Sequence, residues 1–216
     1  MVTFGNRNTN KKVKKKGECS GKTNSHYSIQ KMSNKSVLSV QNMVLIAVFT
    51  AIIAVCSWIS VPIGPVPFTL QTFAVFVTAG LLGTKRSEIS IIVFIILGTI
   101  GVPVFAGFSS GPGVIAGPTG GYIVGFLLTA LIVGLIMKLA KGKSEITKIV
   151  ITVVSMILGD IACFAVGTVW FMVVMKMNLS ASLTLCVVPY IVPDLAKIIV
   201  ATIIVNRLKK YVKIFN

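Results

Sequence analysis

From residue 37 to the C-terminus the chain alternates long apolar runs with short breaks made of charged residues, glycine or proline. The runs are near 20 residues long, the length an α-helix needs to cross about 30 Å of hydrocarbon. Six can be marked out, at about 37–63, 66–83, 88–106, 119–140 and 149–174, with a last one that ends at Arg207, Lys209, Lys210 and Lys213. Pro62 and the Gly64-Pro65 pair close the first run, and Thr84-Lys85-Arg86 closes the second. The pattern predicts an all-α integral membrane protein, a bundle of six transmembrane helices.

The break between the third and fourth runs is unlike the others. Residues 98–126 hold nine of the nineteen glycines, and no charged side chain lies between Glu88 and Lys138. A stretch so rich in glycine can fold back over whatever lies between its neighbouring helices, because glycine takes positive φ cheaply and admits close approach. Its end, Gly117-Pro118-Thr119-Gly120-Gly121-Tyr122, suits a helix start whose free N–H groups form a positive end for an anion. Gly117, Gly121 and Gly125, four apart, form a smooth stripe for helix packing.

Charge then orients the bundle. The chain carries 21 Lys and Arg against 5 Asp and Glu, yet only 12% of it is charged and 55% is hydrophobic. The basic residues follow the membrane rather than a face with interleaved aromatics, which argues against nucleic acid. Nine of them fall in residues 1–36, and the 2–3 connection, the 4–5 connection and the C-terminus hold 2, 4 and 4. By the positive-inside rule both termini are cytoplasmic and the Gly-rich loop is extracellular. Residues 1–36 read as a basic, disordered cytoplasmic tail attracted to anionic headgroups, and residues 37–216 as the membrane domain. His26, the only histidine, lies in the tail. The four cysteines have no paired spacing, so neither a disulfide nor a metal site is expected.

Three ionisable residues fall inside apolar runs: Asp160, Asp194 and Lys197. Each costs on the order of 3 kcal/mol near the bilayer centre unless it is paired or lines a cavity. Asp194 and Lys197 are three apart, hence on one helix face, just after Pro193, which predicts a kink or a helix start there. A polar pocket in the outer half of the bundle, lidded by the Gly-rich loop, accommodates them. Asp160 is either a pocket residue or a buried helix–helix hydrogen bond. In the first run Ala47 and Ala51 form a small-xxx-small pair that lets another helix approach. Gly142-Lys143-Ser144 resembles the end of a phosphate-binding loop, but the required upstream glycine is Met137 and no strand precedes it. With no HExxH, no GxSxG and no histidine in the membrane region, an intramembrane hydrolase is disfavoured.

Four segments carry a family resemblance: Val66-Pro67-Phe68-Thr69-Leu70-Gln71, Gly101-Val102-Pro103-Val104-Phe105-Ala106-Gly107, Gly117 to Tyr122, and Pro193-Asp194-Leu195-Ala196-Lys197. In order and over residue 37 to the end, the chain resembles the BioY family, the biotin-binding S components of energy-coupling factor (ECF) transporters. The resemblance implies a six-helix substrate-binding subunit whose outward-facing vitamin site is closed by the helix 1–2 and 3–4 loops. It also implies partners, a transmembrane T subunit and two cytoplasmic ATPases, in a multi-pass protein of the cell membrane. The family's acid and lysine that hold the ureido ring correspond to Asp194 and Lys197, and its T-docking alanines to Ala47 and Ala51. The loop at Phe108-Ser109-Ser110 carries neither Asn nor Arg, so the family's carboxylate contacts are not carried over.

Biotin's chemistry fits these residues. Asp194 can accept from the urea N–H groups and Lys197 can donate to its carbonyl. Phe68, Phe105 and Tyr122 could cover the bicycle, and loop N–H groups, Ser109 or Ser110 could take the carboxylate. Gln71 and Asp160 complete the expected binding set. Biotin is then the transported ligand and no cofactor is expected. A self-sufficient ion-coupled vitamin transporter, with Asp160, Asp194 and Lys197 as a proton relay, is the alternative.

Overall fold

Within hydrocarbon an unpaired backbone N–H or C=O finds no water, so the apolar runs become helices that satisfy their own main chain. The computed structural model describes residues 39–62, 64–140 and 142–212. The expected tail, 1–36, lies outside them. The first helix, α1, is Val40–Trp58. A two-stranded antiparallel hairpin follows, β1 (Ser60–Val61) with β2 (Phe68–Thr69), in the register Ser60 to Thr69 and Val61 to Phe68. Next come α2 (Gln71–Leu82), α3 (Thr84–Thr99), a 3-10 turn at Ala106–Phe108 and a short α4 (Pro112–Ala116). Helix α5 (Gly120–Ile136) runs on into a 3-10 turn, Met137–Ala140. The chain finishes with α6 (Glu145–Met175), α7 (Leu179–Cys186) and α8 (Val188–Val212).

Among the described residues, four helical segments are long and apolar enough to cross a membrane: Val40–Trp58, Gly120–Ala140, Glu145–Met175 and Val188–Lys209. The fold is that of a multi-pass membrane protein. Along α1, α6 and α8 large apolar side chains stand open, among them Val40, Val173 and Val192 at 76, 72 and 76% exposure. In water such a surface would drive aggregation, whereas acyl chains cover it at no cost.

The second and third expected runs differ from the helices formed. Gly83, at φ 73°, breaks the chain after α2, and α3 begins at Thr84 rather than 88, so Lys85 and Arg86 belong to a first helical turn. Helix α2 has only 12 residues, ten of them buried, and packs against α1, α3, α5 and α8. It is the central post of the fold rather than a lipid-facing span. Helix α6 starts at Glu145, four residues before the apolar run, because the Ser144 hydroxyl accepts from the Thr147 N–H at 3.3 Å and caps it.

Helices α5 and α6 meet over glycine. A Cβ on Gly121 would stand 2.2 Å from the Trp170 Cβ, and one on Gly167 2.2 Å from the Tyr122 ring. Each helix therefore receives the other's aromatic side chain where it has no side chain of its own. Gly117 does not continue the expected stripe: it precedes α5, and its carbonyl accepts from Trp170 Nε1 at 3.0 Å. The core beneath is aromatic, with Phe94 and Phe105 edge to face at 5.5 Å.

Candidate functional site

Hairpin strand β2 and the first turn of α2 face the first half of α8 across a cavity of about 300 Å³. Its remaining walls come from α6, the end of α7, the Gly-rich loop and the start of α5. The volume is at the small end of the range for ligand pockets, roughly 300–1,000 Å³. Helix α8 starts at Val188 and carries Pro193 inside it, so of the kink or helix start expected at Pro193, the start lies five residues earlier.

The polar end of the cavity is a closed circuit. Lys197 Nζ donates to Asp194 Oδ1 at 2.7 Å, to the Thr69 carbonyl at 2.7 Å and to Thr72 Oγ1 at 2.9 Å. An ammonium has three donors, so all are in use. Thr72 passes its own proton to Asp194 Oδ1 at 3.4 Å. Asp194 and Lys197 are 3 and 8% exposed, and the ammonium stands 4.0 Å from the centroid of the Phe68 ring. Phe68 in turn stacks on Tyr190, whose hydroxyl donates to the Val66 carbonyl and ties the hairpin to α8. The pair is thus tolerated in an apolar chain because β2 and α2 supply the partners that lipid cannot.

The Gly-rich loop roofs this cavity and is fastened at both ends. Trp58 at the end of α1 donates from Nε1 to the Pro103 carbonyl at 2.8 Å and stacks on Phe108 at 5.0 Å, and Ser57 donates to the Val104 carbonyl. Trp170 of α6 holds the other end through Gly117. Phe108 has φ 60°, a left-handed backbone that a bulky residue adopts only when its surroundings impose it.

Asp194, Lys197, Phe68, Gln71, Phe105, Ser109, Tyr122 and Asp160 all contribute to the wall. Ser110 does not; it is exposed beyond it. The Ser109 hydroxyl already donates to the Ala106 carbonyl at 2.7 Å. Asp160 lines the cavity and makes no hydrogen bond or ion pair among the described residues. Gln71 is 5% exposed, and its Nε2 has no partner among the described residues. The sequence reading missed Thr72, whose signal was one hydroxyl beside Gln71 in an aromatic-polar segment, and Tyr190, Cys163 and Cys186 in the wall. Ala47 and Ala51 are exposed on α1, on a face shared with Val44, Val48 and Val55.

Comparison with known proteins gives this geometry a family. The sequence model of the BioY family matches residues 30–214, which include the whole cavity wall and its roof. The chain belongs to the BioY family. The biotin transporter BioY of Thermotoga maritima is 40% identical over 171 residues, covering 79% of this chain and 97% of that protein. The biotin transporter BioY2 of Lactococcus lactis is 36% identical over 162 residues, covering 75% and 86%. A solved structure, the S-component for biotin from an ECF-type ABC transporter, superposes with a TM-score of 0.73 at 30% identity, covering 82% of this chain and 95% of that one. The two BioY relatives are thus matched over 97% and 86% of their own length.

Proposed function

We propose that this chain is the substrate-binding S component of a biotin uptake transporter. It captures biotin from outside and releases it inward with a transmembrane T subunit and two cytoplasmic ATPase subunits. The observation that carries the reading is the buried Asp194–Lys197 pair at one end of a lidded cavity whose other walls are largely apolar. Biotin has the matching polarity: a urea at one end, an apolar bicycle, and a carboxylate on a flexible tail. The urea lies at the Asp194 end, Phe68, Phe105 and Tyr122 cover the bicycle, and Asp160 faces the ring from α6.

The tail carboxylate points to the start of α5. Ser110 is outside the cavity, Ser109 has spent its proton, and the Gly120, Tyr122 and Ile123 N–H groups bond the Gly117 and Thr119 carbonyls, which leaves Thr119 in the wall as the donor. Neither serine is the carboxylate donor in this arrangement. The bundle crosses the membrane six times, α2 and α3 supplying two short crossings, with both termini cytoplasmic and the Gly-rich loop extracellular. The distribution of basic residues supports that orientation. Residues 37–216 make up this substrate-binding domain, and residues 1–36 are its basic tail. Ala47 and Ala51 on α1 form the docking face for the T subunit.

Equilibrium binding of biotin to the purified chain, with Asp194→Asn and Lys197→Met alongside, tests the reading. Each substitution removes one ionised partner, and a loss of about 1–3 kcal/mol, roughly 5- to 150-fold in affinity, is expected. Unchanged affinity in both variants removes the pair from the site.

A further inference from the structure

The hydrogen-bond inventory of the cavity singles out one residue. Every donor of Lys197 is committed to Thr69, Thr72 and Asp194, so the ammonium has none left for a ligand unless it gives one up. Gln71 is in the opposite condition. The residue is 5% exposed, it lines the same cavity, and its buried Nε2 has no hydrogen-bond partner among the described residues. A buried amide left in that state costs about 1–3 kcal/mol, a penalty native proteins rarely accept without a further partner. Its backbone N–H takes Thr69 Oγ1 at 3.3 Å, and Thr72 is its neighbour in sequence, so Gln71 stands at the Asp194–Lys197 end.

We infer that the Gln71 carboxamide reads the urea directly, donating from Nε2 to its carbonyl and accepting one of its N–H groups at Oε1. This rests on the reading of the cavity as a biotin site and assigns there a specificity-determining residue. A carboxamide and a cyclic urea each present one donor beside one acceptor, so the two edges pair without any charge changing hands. Charge points the same way. Two carboxyl groups and one ammonium, Asp160, Asp194 and Lys197, line this cavity. A ligand carboxylate beside Gln71 would meet that excess of acid, whereas a neutral urea does not. With Gln71 on the carbonyl, Asp194 is left for the second N–H through Oδ2, the oxygen its lysine does not occupy. Lys197 then acts by holding Asp194.

The test measures equilibrium affinity on the full detergent-solubilised chain for biotin, dethiobiotin and biotin methyl ester. The wild type is compared with Gln71→Met, matched in size, and Gln71→Glu, matched in shape; one folded variant suffices, and its melting temperature reports folding. Loss of the urea contact weakens all three ligands by about tenfold or more, and by the same factor, since all three keep the urea. A penalty that disappears on the methyl ester assigns Gln71 to the tail carboxylate and overturns the inference. So does affinity within twofold of wild type for every ligand. A wild-type chain that binds biotin while the Gln71 variants bind it equally defeats this inference alone, whereas a wild-type chain that binds no biotin defeats the reading beneath it.

Discussion

Asp194 and Lys197 are a buried ion pair that each depend on the other, and removal of one leaves an uncompensated charge in a low-dielectric site. Either single substitution therefore destabilises the fold as well as weakening biotin, by about 3–5 kcal/mol in such sites. The double variant Asp194→Asn/Lys197→Met should recover much of that stability, read as melting temperature in detergent, without recovering biotin binding. Recovery of both together would make the pair structural. The pair was legible in the sequence because two opposite charges three residues apart in an apolar run have few explanations. Thr72 was not, because its role is set by contact with residues 122 and 125 positions away. Gln71 was legible only as a member of a segment: what marks it out is the absence of a partner, which no sequence displays.

The loop between α3 and α5 is fastened by Trp58 and Trp170 as well as by its own Gly111 N–H, which donates to the Gly98 carbonyl at 2.7 Å. Trp58→Ala removes one hydrogen bond and one aromatic stack, about 1–2 kcal/mol together. Bound biotin should then leave about 5- to 30-fold faster in a chase with unlabelled ligand. An unchanged release rate would mean that the roof does not gate the cavity. The seam between α5 and α6 makes a different demand. Gly121→Ala drives a methyl into Trp170 and costs about 1–3 kcal/mol of overpacking, read as a lowered melting temperature. Long helices were legible at this scale because hydropathy repeats over many residues. The hairpin and α7 were not: strands of two residues have no period to read, and α7 has only eight residues in what looked like a connection. Helix α2 was legible as an apolar run but not as the buried centre of the bundle, because composition alone cannot tell a run buried by protein from one buried by lipid.

The molecule as a whole presents two separable surfaces, a lidded cavity and the outer face of α1. Ala47 and Ala51 are exposed there and are not part of the cavity wall. Ala47→Trp and Ala51→Trp should therefore leave biotin affinity within about twofold, while abolishing co-purification with a T subunit and ATPase-dependent uptake. Uptake that persists in these variants would move the docking face elsewhere. Uptake should also continue when the membrane potential and pH gradient are collapsed with ATP retained; if it stops, the ion-coupled alternative holds. The most direct measurement of the central claim is the structure of the full chain with biotin bound. The account predicts the ureido ring within hydrogen-bond reach, about 2.7–3.2 Å, of Asp194 and Gln71, beneath the Gly-rich loop, with the carboxylate toward the start of α5. Biotin found in the reverse orientation, or outside this cavity, would contradict it.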